Sequence, residues 1–107
     1  MAPPDPAVVR AAIAALRTDA AMWDDISAEI RAAAVTAETL RLTGFNFSFA
    51  ADRAGMTELY GDVHQRIVQL MNEAADVHAD LATRLRLAAD GYESADEAAE
   101  RALRGTY

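Results

Sequence analysis

Several residue types are scarce or missing in this sequence, and each gap excludes a class of protein. No cysteine occurs, which excludes disulfides, thiolate metal sites and cysteine nucleophiles. Lysine is also absent, so all 10 basic residues are arginines. No stretch of about eighteen residues is free of polar side chains, and no membrane span is therefore predicted. The net charge of −7 argues against a basic surface of the kind that binds nucleic acid or anionic lipid.

The composition that remains favours helices. Of the 107 residues, 26 are alanine, the best intrinsic helix former, and no stretch alternates polar and apolar residues as a strand does. The length suits one small domain, so we predict a single all-α domain over residues 1–107. Residues Met1 to Pro6 have neither the basic region nor the apolar region of a cleaved signal peptide. Any export is therefore expected to be leaderless.

The first predicted helix spans about residues 6–41. Asp5 is a good N-cap residue, and Pro6 suits the first helical position, where its missing N–H is not needed. Gly44 follows the helix and is expected to close it in the left-handed conformation. Apolar or small residues recur at alternating spacings of four and three, a heptad pattern: Val9, Ile13, Leu16, Ala20, Trp23, Ser27, Ile30, Ala34 and Ala37.

A turn over residues 42–47, which includes Leu42 and Gly44, precedes a second predicted helix over about residues 48–104, with Ser48 as a possible N-cap. The apolar pattern of this helix runs through Phe49, Met56, Tyr60, Val63, Ile67, Leu70, Ala74, Val77, Leu81, Leu85 and Ala88. Two helices joined by a short loop lie antiparallel. We therefore predict a two-helix hairpin whose buried residues include Trp23, Ile30, Ile67 and Leu70.

One apolar stripe has no predicted partner within the chain. Ile26, Ala33 and Leu40 widen the apolar side of the first helix beyond what one neighbouring helix covers. We interpret these residues as a partner interface. A second hairpin, identical or different, would cover them and complete a four-helix bundle by dimerisation.

Candidates for chemistry are few. His64 and His78 are fourteen residues apart, roughly 20 Å along a helix, too far to share a metal ion. Ser27 is expected to bond back to a carbonyl of its own helix, and no base is placed to activate it. The sequence therefore predicts a non-enzymatic protein with no cofactor and no metal site.

The C-terminal part of the second helix carries a short motif. Tyr92 and Asp96 are four residues apart and share a helical face if the helix continues through Gly91. The alternative is a break, because Asp90-Gly91 could end one helix and Ser94 to Glu97 forms a capping box that could start another. A glycine costs a helix only about 1 kcal/mol, and the apolar positions stay nearly in phase, so continuity is favoured.

These residues resemble a known family. The run from Asp80 to Ala98 is similar to the EspC-like family of ESX (type VII) secretion-associated proteins, in which a Leu-Arg-apolar-Ala-Ala segment leads into a Tyr-x-x-x-Asp/Glu export signal and then Asp-Glu-Ala. The resemblance implies that Tyr92 and Asp96 are the export-signal residues. Ala99 and Leu103 complete the broader amphipathic pattern of such signals. The arginine-only, alanine-rich composition also suits a high-GC actinobacterial genome.

The resemblance extends to the wider WXG-type hairpin superfamily, with one departure. Its founding members have Trp-x-Gly in the interhelical turn, whereas here the turn reads Leu42-Thr43-Gly44. Substrates of these systems are exported in pairs, and a chain with the tyrosine signal but no turn tryptophan resembles one half of a pair. The resemblance therefore implies a secreted substrate or co-substrate that binds a helical partner and the ESX machinery. The alternative is a cytosolic bundle protein, such as a chaperone or neutralising partner, that is never exported.

Overall fold

The chain is helical, as the sequence predicts. A computed structural model describes residues 4–106, in which α1 spans Pro6–Thr39, a short 3-10 helix spans Gly44–Asn46, α2 spans Phe49–Arg53 and α3 spans Met56–Thr106. Within these residues there is no β-strand, which confirms the all-α class. No helix in this range is both long enough and apolar enough to cross a membrane. The remaining residues of the predicted 1–107 domain, Met1 to Pro3 and Tyr107, lie outside the described part.

The start of α1 matches its sequence signal. An oxygen of the Asp5 carboxylate accepts a hydrogen bond from the backbone N–H of Ala7 at 2.8 Å, and the carbonyl of Asp5 accepts from Val9 at 3.1 Å. Pro6 is the first helical residue, where it needs no hydrogen-bond donor. These contacts fix the residue at which α1 begins.

The connection between the long helices differs from the prediction. α1 ends at Thr39, and the second helix is divided, because Gly55 adopts φ +87 between α2 and α3. Gly44 is not left-handed, and it opens the 3-10 helix instead. The predicted N-cap Ser48 does cap α2, with its hydroxyl oxygen accepting from Ala51 N–H at 3.2 Å. The left-handed glycine is thus eleven residues further along than predicted.

The chain forms two compact units, and both α1 and α3 contribute to each. The terminal unit contains residues 1–25 and 78–107, and the central unit contains residues 26–77. In the terminal unit Arg17 pairs with Asp90, whereas Asp24, further along α1, pairs with Arg86, earlier on α3. The two segments therefore run in opposite directions. The two long helices are consistent with the predicted hairpin.

Buried residues recur every seven positions on each long helix. On α1 they are Ile13, Ala20, Ser27 and Ala34, and on α3 they are Val68, Ala75, Ala82 and Ala89. In the central unit the Ser27 hydroxyl donates to the carbonyl of Ala75 at 2.7 Å, and not to its own helix as predicted. Alanine on both sides allows backbones to approach closely, and the serine therefore reaches the opposite helix.

The predicted packing of α1 is confirmed, but that of α3 is wrong by about one residue. Trp23 and Ile30 on α1 are half-buried as part of the predicted stripe. Ile67 and Leu70, predicted to be buried, are 50% and 49% exposed. The face of α3 that packs on α1 is formed by Val68, Ala75, Ala82 and Ala89, which we call the alanine line. The larger aliphatic residues lie about 100° around the helix, on an outer face.

Candidate functional site

The C-terminal motif lies on an unbroken helix. α3 continues through Gly91, where no atom lies within 4 Å of the position that a Cβ would occupy. The prediction that the helix continues through Gly91 is therefore confirmed. Tyr92 and Asp96 consequently lie one helical turn apart on the same face. The Tyr92 side chain is 60% exposed, and its ring is available to a partner.

The motif continues the line along which α3 packs on α1. Asp96 and Leu103 are seven and fourteen residues after the buried Ala89, so they share its side of the helix. Because α1 runs in the opposite direction, it is counted backwards, and Pro6 lies seven residues before the buried Ile13. The first residue of α1 is therefore near the level of Asp96, and Ala99 and Leu103 lie further along α3. Ala99 is exposed and Leu103 is 62% exposed.

Asp96 itself lies in a shallow acidic cleft of the terminal unit. The cleft is lined by Arg10, Ile13, Glu93, Asp96, Glu97 and Glu100. Asp96 is half-buried. Arg10 is the one basic residue that lines the cleft, and four carboxylates line it as well. Tyr92 and Asp96 thus differ in setting, the first exposed and the second partly enclosed.

Ion pairs tie this part of α3 to α1. The Arg17 guanidinium contacts Asp90 at 3.0 Å and also pairs with Glu93. Hydrogen bonds to Asp90 and then to Glu93 raise the pKa of Arg17 above its usual value. All of these groups are exposed, and such pairs contribute little to the free energy of folding. They help to fix which face of α3 is turned toward α1 just before the motif.

A second feature is an apolar face of the central unit, formed mainly by α3. Its α3 residues are exposed, apart from the half-buried Ala74, and they are spaced by three or four residues: Tyr60, Val63, Ile67, Leu70, Ala74 and Val77. A pocket lined by Leu40, Leu42, Tyr60, Val63, His64 and Ile67 joins this face to the end of α1. Scattered apolar residues are normal on a surface, but a continuous stripe of this kind is a candidate interaction site. We call this set of residues, with Leu40 and Leu42, the outer face.

Of the predicted interface and turn residues, Leu40 and Leu42 lie at the outer face. Ile26 is half-buried, Ala33 is exposed and Leu40 is 66% exposed. Leu42 is 42% exposed in the segment after α1. Gly44 lies beside α2, and a Cβ at this position would be 3.3 Å from a carboxylate oxygen of Asp52. The pocket brings Leu40 and Leu42 together, whereas Gly44 is not among its lining residues.

The two histidines have different surroundings. In the terminal unit the ring of His78 lies 5.2 Å from that of Trp23, tilted by 42°. In the central unit His64 lines the pocket described above, and its Nε2 is buried without a hydrogen-bond partner among the described residues. Across residues 4–106 no three potential ligand side chains are grouped as a metal site.

The α3 residues of the outer face are the functional candidates that sequence reasoning placed in the core. Large aliphatic residues at heptad spacing usually pack inward, and this expectation selected Ile67 and Leu70. A signal for the true register was nevertheless present. Ala20 and Ala34 on α1 are fourteen residues apart, as are Ala75 and Ala89 on α3, and small residues at heptad spacing allow close helix contact.

Comparison with known families gives one result that covers nearly the whole chain. Residues 7–105 match the family described as "Excreted virulence factor EspC, type VII ESX diderm". Neither the curated proteins nor the solved structures give a significant match. The family match includes α1, α2 and almost all of α3, together with the motif on α3. The chain therefore belongs to the EspC family of type VII (ESX) secretion-associated proteins.

Proposed function

We propose that this protein is a non-enzymatic substrate or co-substrate of type VII secretion, exported without a cleaved leader. In this proposal Tyr92 and Asp96 form the export signal, with Ala99 and Leu103 extending it, and the outer face binds a helical partner. The observation that carries the proposal is the unbroken course of α3 through Gly91. It gives the motif one continuous face, the last part of which α1 does not cover.

The setting of the motif supports recognition by another protein. Ala89, Asp96 and Leu103 occupy the same heptad position of α3. Ala89 is buried against α1 and Asp96 is half-buried, whereas Leu103 is exposed. The exposed apolar residues of the motif are therefore open to contact with another protein. The Asp96 carboxylate gives such a partner a charged reference point beside the exposed Tyr92 ring.

The experiment measures the protein in culture filtrate and in cell lysate, in strains with and without the ESX ATPase. Tyr92→Ala and Asp96→Ala are each expected to abolish export while the protein stays folded in the lysate. Asp96→Glu is expected to be tolerated, because it keeps the carboxylate at the same turn. A melting temperature within a few degrees of the wild type would verify that each variant is folded.

Glu93→Ala is the matched control. It removes one carboxylate from the same cleft, but its position is turned about 100° from Tyr92. Arg17 loses one of its two partners and keeps Asp90, so folding should be little affected. If Glu93→Ala blocked export as strongly as Asp96→Ala, general acidity would be the requirement and the motif assignment would fail. A wild-type protein that stayed in the cell with the ATPase present would favour the non-exported bundle protein instead.

A further inference from the structure

The spacing of the outer face on α3 is the same when it is read from either end. From Tyr60 to Val77 the intervals are three, four, three, four and three residues. A second copy of the same helix can therefore lie antiparallel on the first with every apolar residue facing another. This arrangement places Tyr60 opposite Val77 of the second copy, Val63 opposite Ala74, and Ile67 opposite Leu70. Large residues at the ends then face smaller ones.

Charges at the edge of the outer face favour the same arrangement. Arg66 and Glu73 each precede a stripe residue, Ile67 and Ala74, and lie on the side of α3 away from the buried alanine line. In an antiparallel pair of heptad helices, these edge positions face each other. Arg66 then faces Glu73 of the second copy, and symmetry repeats the pair.

Both charged groups are free to make this contact. Neither Arg66 nor Glu73 forms an ion pair within the described part of the chain. A parallel pair would place the edge residues near positions such as His64 and Met71, which carry no opposite charge of this kind. The charge pattern therefore distinguishes antiparallel from parallel pairing.

The α1 side of the central unit has a compatible pattern. The hydrogen bond from Ser27 to Ala75 sets the level of the two helices, and counting seven residues along each places Ala34 level with Val68. The midpoint between Ile67 and Leu70 is then level with Ala33. Ile26 and Leu40 lie seven residues on either side of Ala33. A two-fold axis at this level therefore crosses α1 at a small residue, Ala33, with a larger residue, Ile26 or Leu40, on each side.

We propose that the outer face binds a second copy of this chain, antiparallel, about a two-fold axis that passes α1 at Ala33 and α3 between Ile67 and Leu70. Two symmetric ion pairs between Arg66 of one copy and Glu73 of the other set the register. This inference rests on the proposed function only in using the outer face as the pairing surface. It names the partner as the chain itself.

Sedimentation analysis of the full chain tests the register through charge reversal. Arg66→Glu and Glu73→Arg each replace two attractions with two repulsions, and each is expected to raise the dimer Kd by about tenfold or more. An equimolar mixture of the two variants restores opposite charges at both sites and is expected to regain the wild-type Kd. Asp62→Arg on the same helix, turned away from the outer face, changes the charge as Glu73→Arg does and should leave the Kd unchanged.

Cysteine pairs provide a second measurement, because the natural chain has no cysteine. A mixture of Val63→Cys and Ala74→Cys chains is expected to form a mixed disulfide, and neither variant alone should form one. In the antiparallel dimer the two copies of either position are about 16 Å apart along the helix axis. A parallel dimer would instead link each variant to itself.

Three results would overturn the proposal: a wild-type monomer at high micromolar concentration, single charge variants that dimerise normally, or a mixture that fails to recover. A monomer that is exported together with a different hairpin on the outer face would leave the proposed function intact and show that the partner is another protein. A dimer that is never exported would retain this inference and refute the proposed function.

Discussion

The packing register of α3 gives a sharp stability prediction, because two alanines on this helix exchange roles between the alternative registers. Ala82 is 0% exposed in the structure, whereas Ala88 is exposed. The register predicted from the large aliphatic residues would instead turn Ala88 inward. Alanine and leucine have nearly equal helix propensity, so Ala→Leu at either position tests packing and little else.

The expected magnitude follows from the space available. Ala82 and Ala20 are both fully buried at corresponding positions of α3 and α1, so three added carbon atoms at residue 82 must push the helices apart or distort side chains. Overpacking of this kind costs about 1–3 kcal/mol. For a chain of this size, each kcal/mol lowers Tm by about 4 °C. Ala82→Leu should therefore lower Tm by about 4–12 °C.

Urea unfolding and thermal unfolding followed by circular dichroism measure both variants at one protein concentration, because self-association makes Tm depend on concentration. Ala88→Leu should unfold within about 0.5 kcal/mol of the wild type. The reasoning is refuted if Ala88→Leu is the more destabilised of the two. That result would mean that α3 packs on α1 through its larger residues.

Two further predictions concern single contacts. Ser27→Ala removes the buried hydrogen bond to the Ala75 carbonyl, and the urea midpoint should fall by the equivalent of about 1 kcal/mol with an unchanged m-value. Gly55→Ala should destabilise the chain by about 1 kcal/mol or more, because φ is +87 at this residue. Gly61→Ala, inside α3 with open space around it, should raise the free energy of unfolding by up to about 1 kcal/mol. Equal effects at the two glycines would contradict this interpretation of Gly55.

Local signals predicted the helices well. The Asp5 and Pro6 signature located the start of α1, and Ser48 was recognised as a cap, because both act within a few residues of themselves. The end of the connection was less predictable. Gly44 and Gly55 are both candidates for a left-handed residue, and the choice depends on how the chain packs between the long helices. Sequence reasoning selected the first, and the structure uses the second.

The candidate site was predictable where it depends on one helix and not where it depends on two. Tyr92 and Asp96 share a face of α3 because of helical periodicity alone, and α3 is continuous there. The half-burial of Asp96 depends on where α1 begins relative to α3, which needs the pairing level of the two helices. Whether Ile67 faces α1 or the surface depends on the rotation of α3 about its own axis. A single sequence contains no direct measure of the level or of the rotation.

The inward placement of alanine has an energetic consequence for association. α3 has two apolar lines, a small one through Ala75 and Ala82 and a larger one through Ile67 and Leu70, and one neighbouring helix can bury only one of them. Burial contributes about 0.8 kcal/mol per methylene group, so burying the larger line would stabilise the chain more. The structure buries the smaller line. More of the hydrophobic free energy is therefore left for association, as the proposed dimer requires.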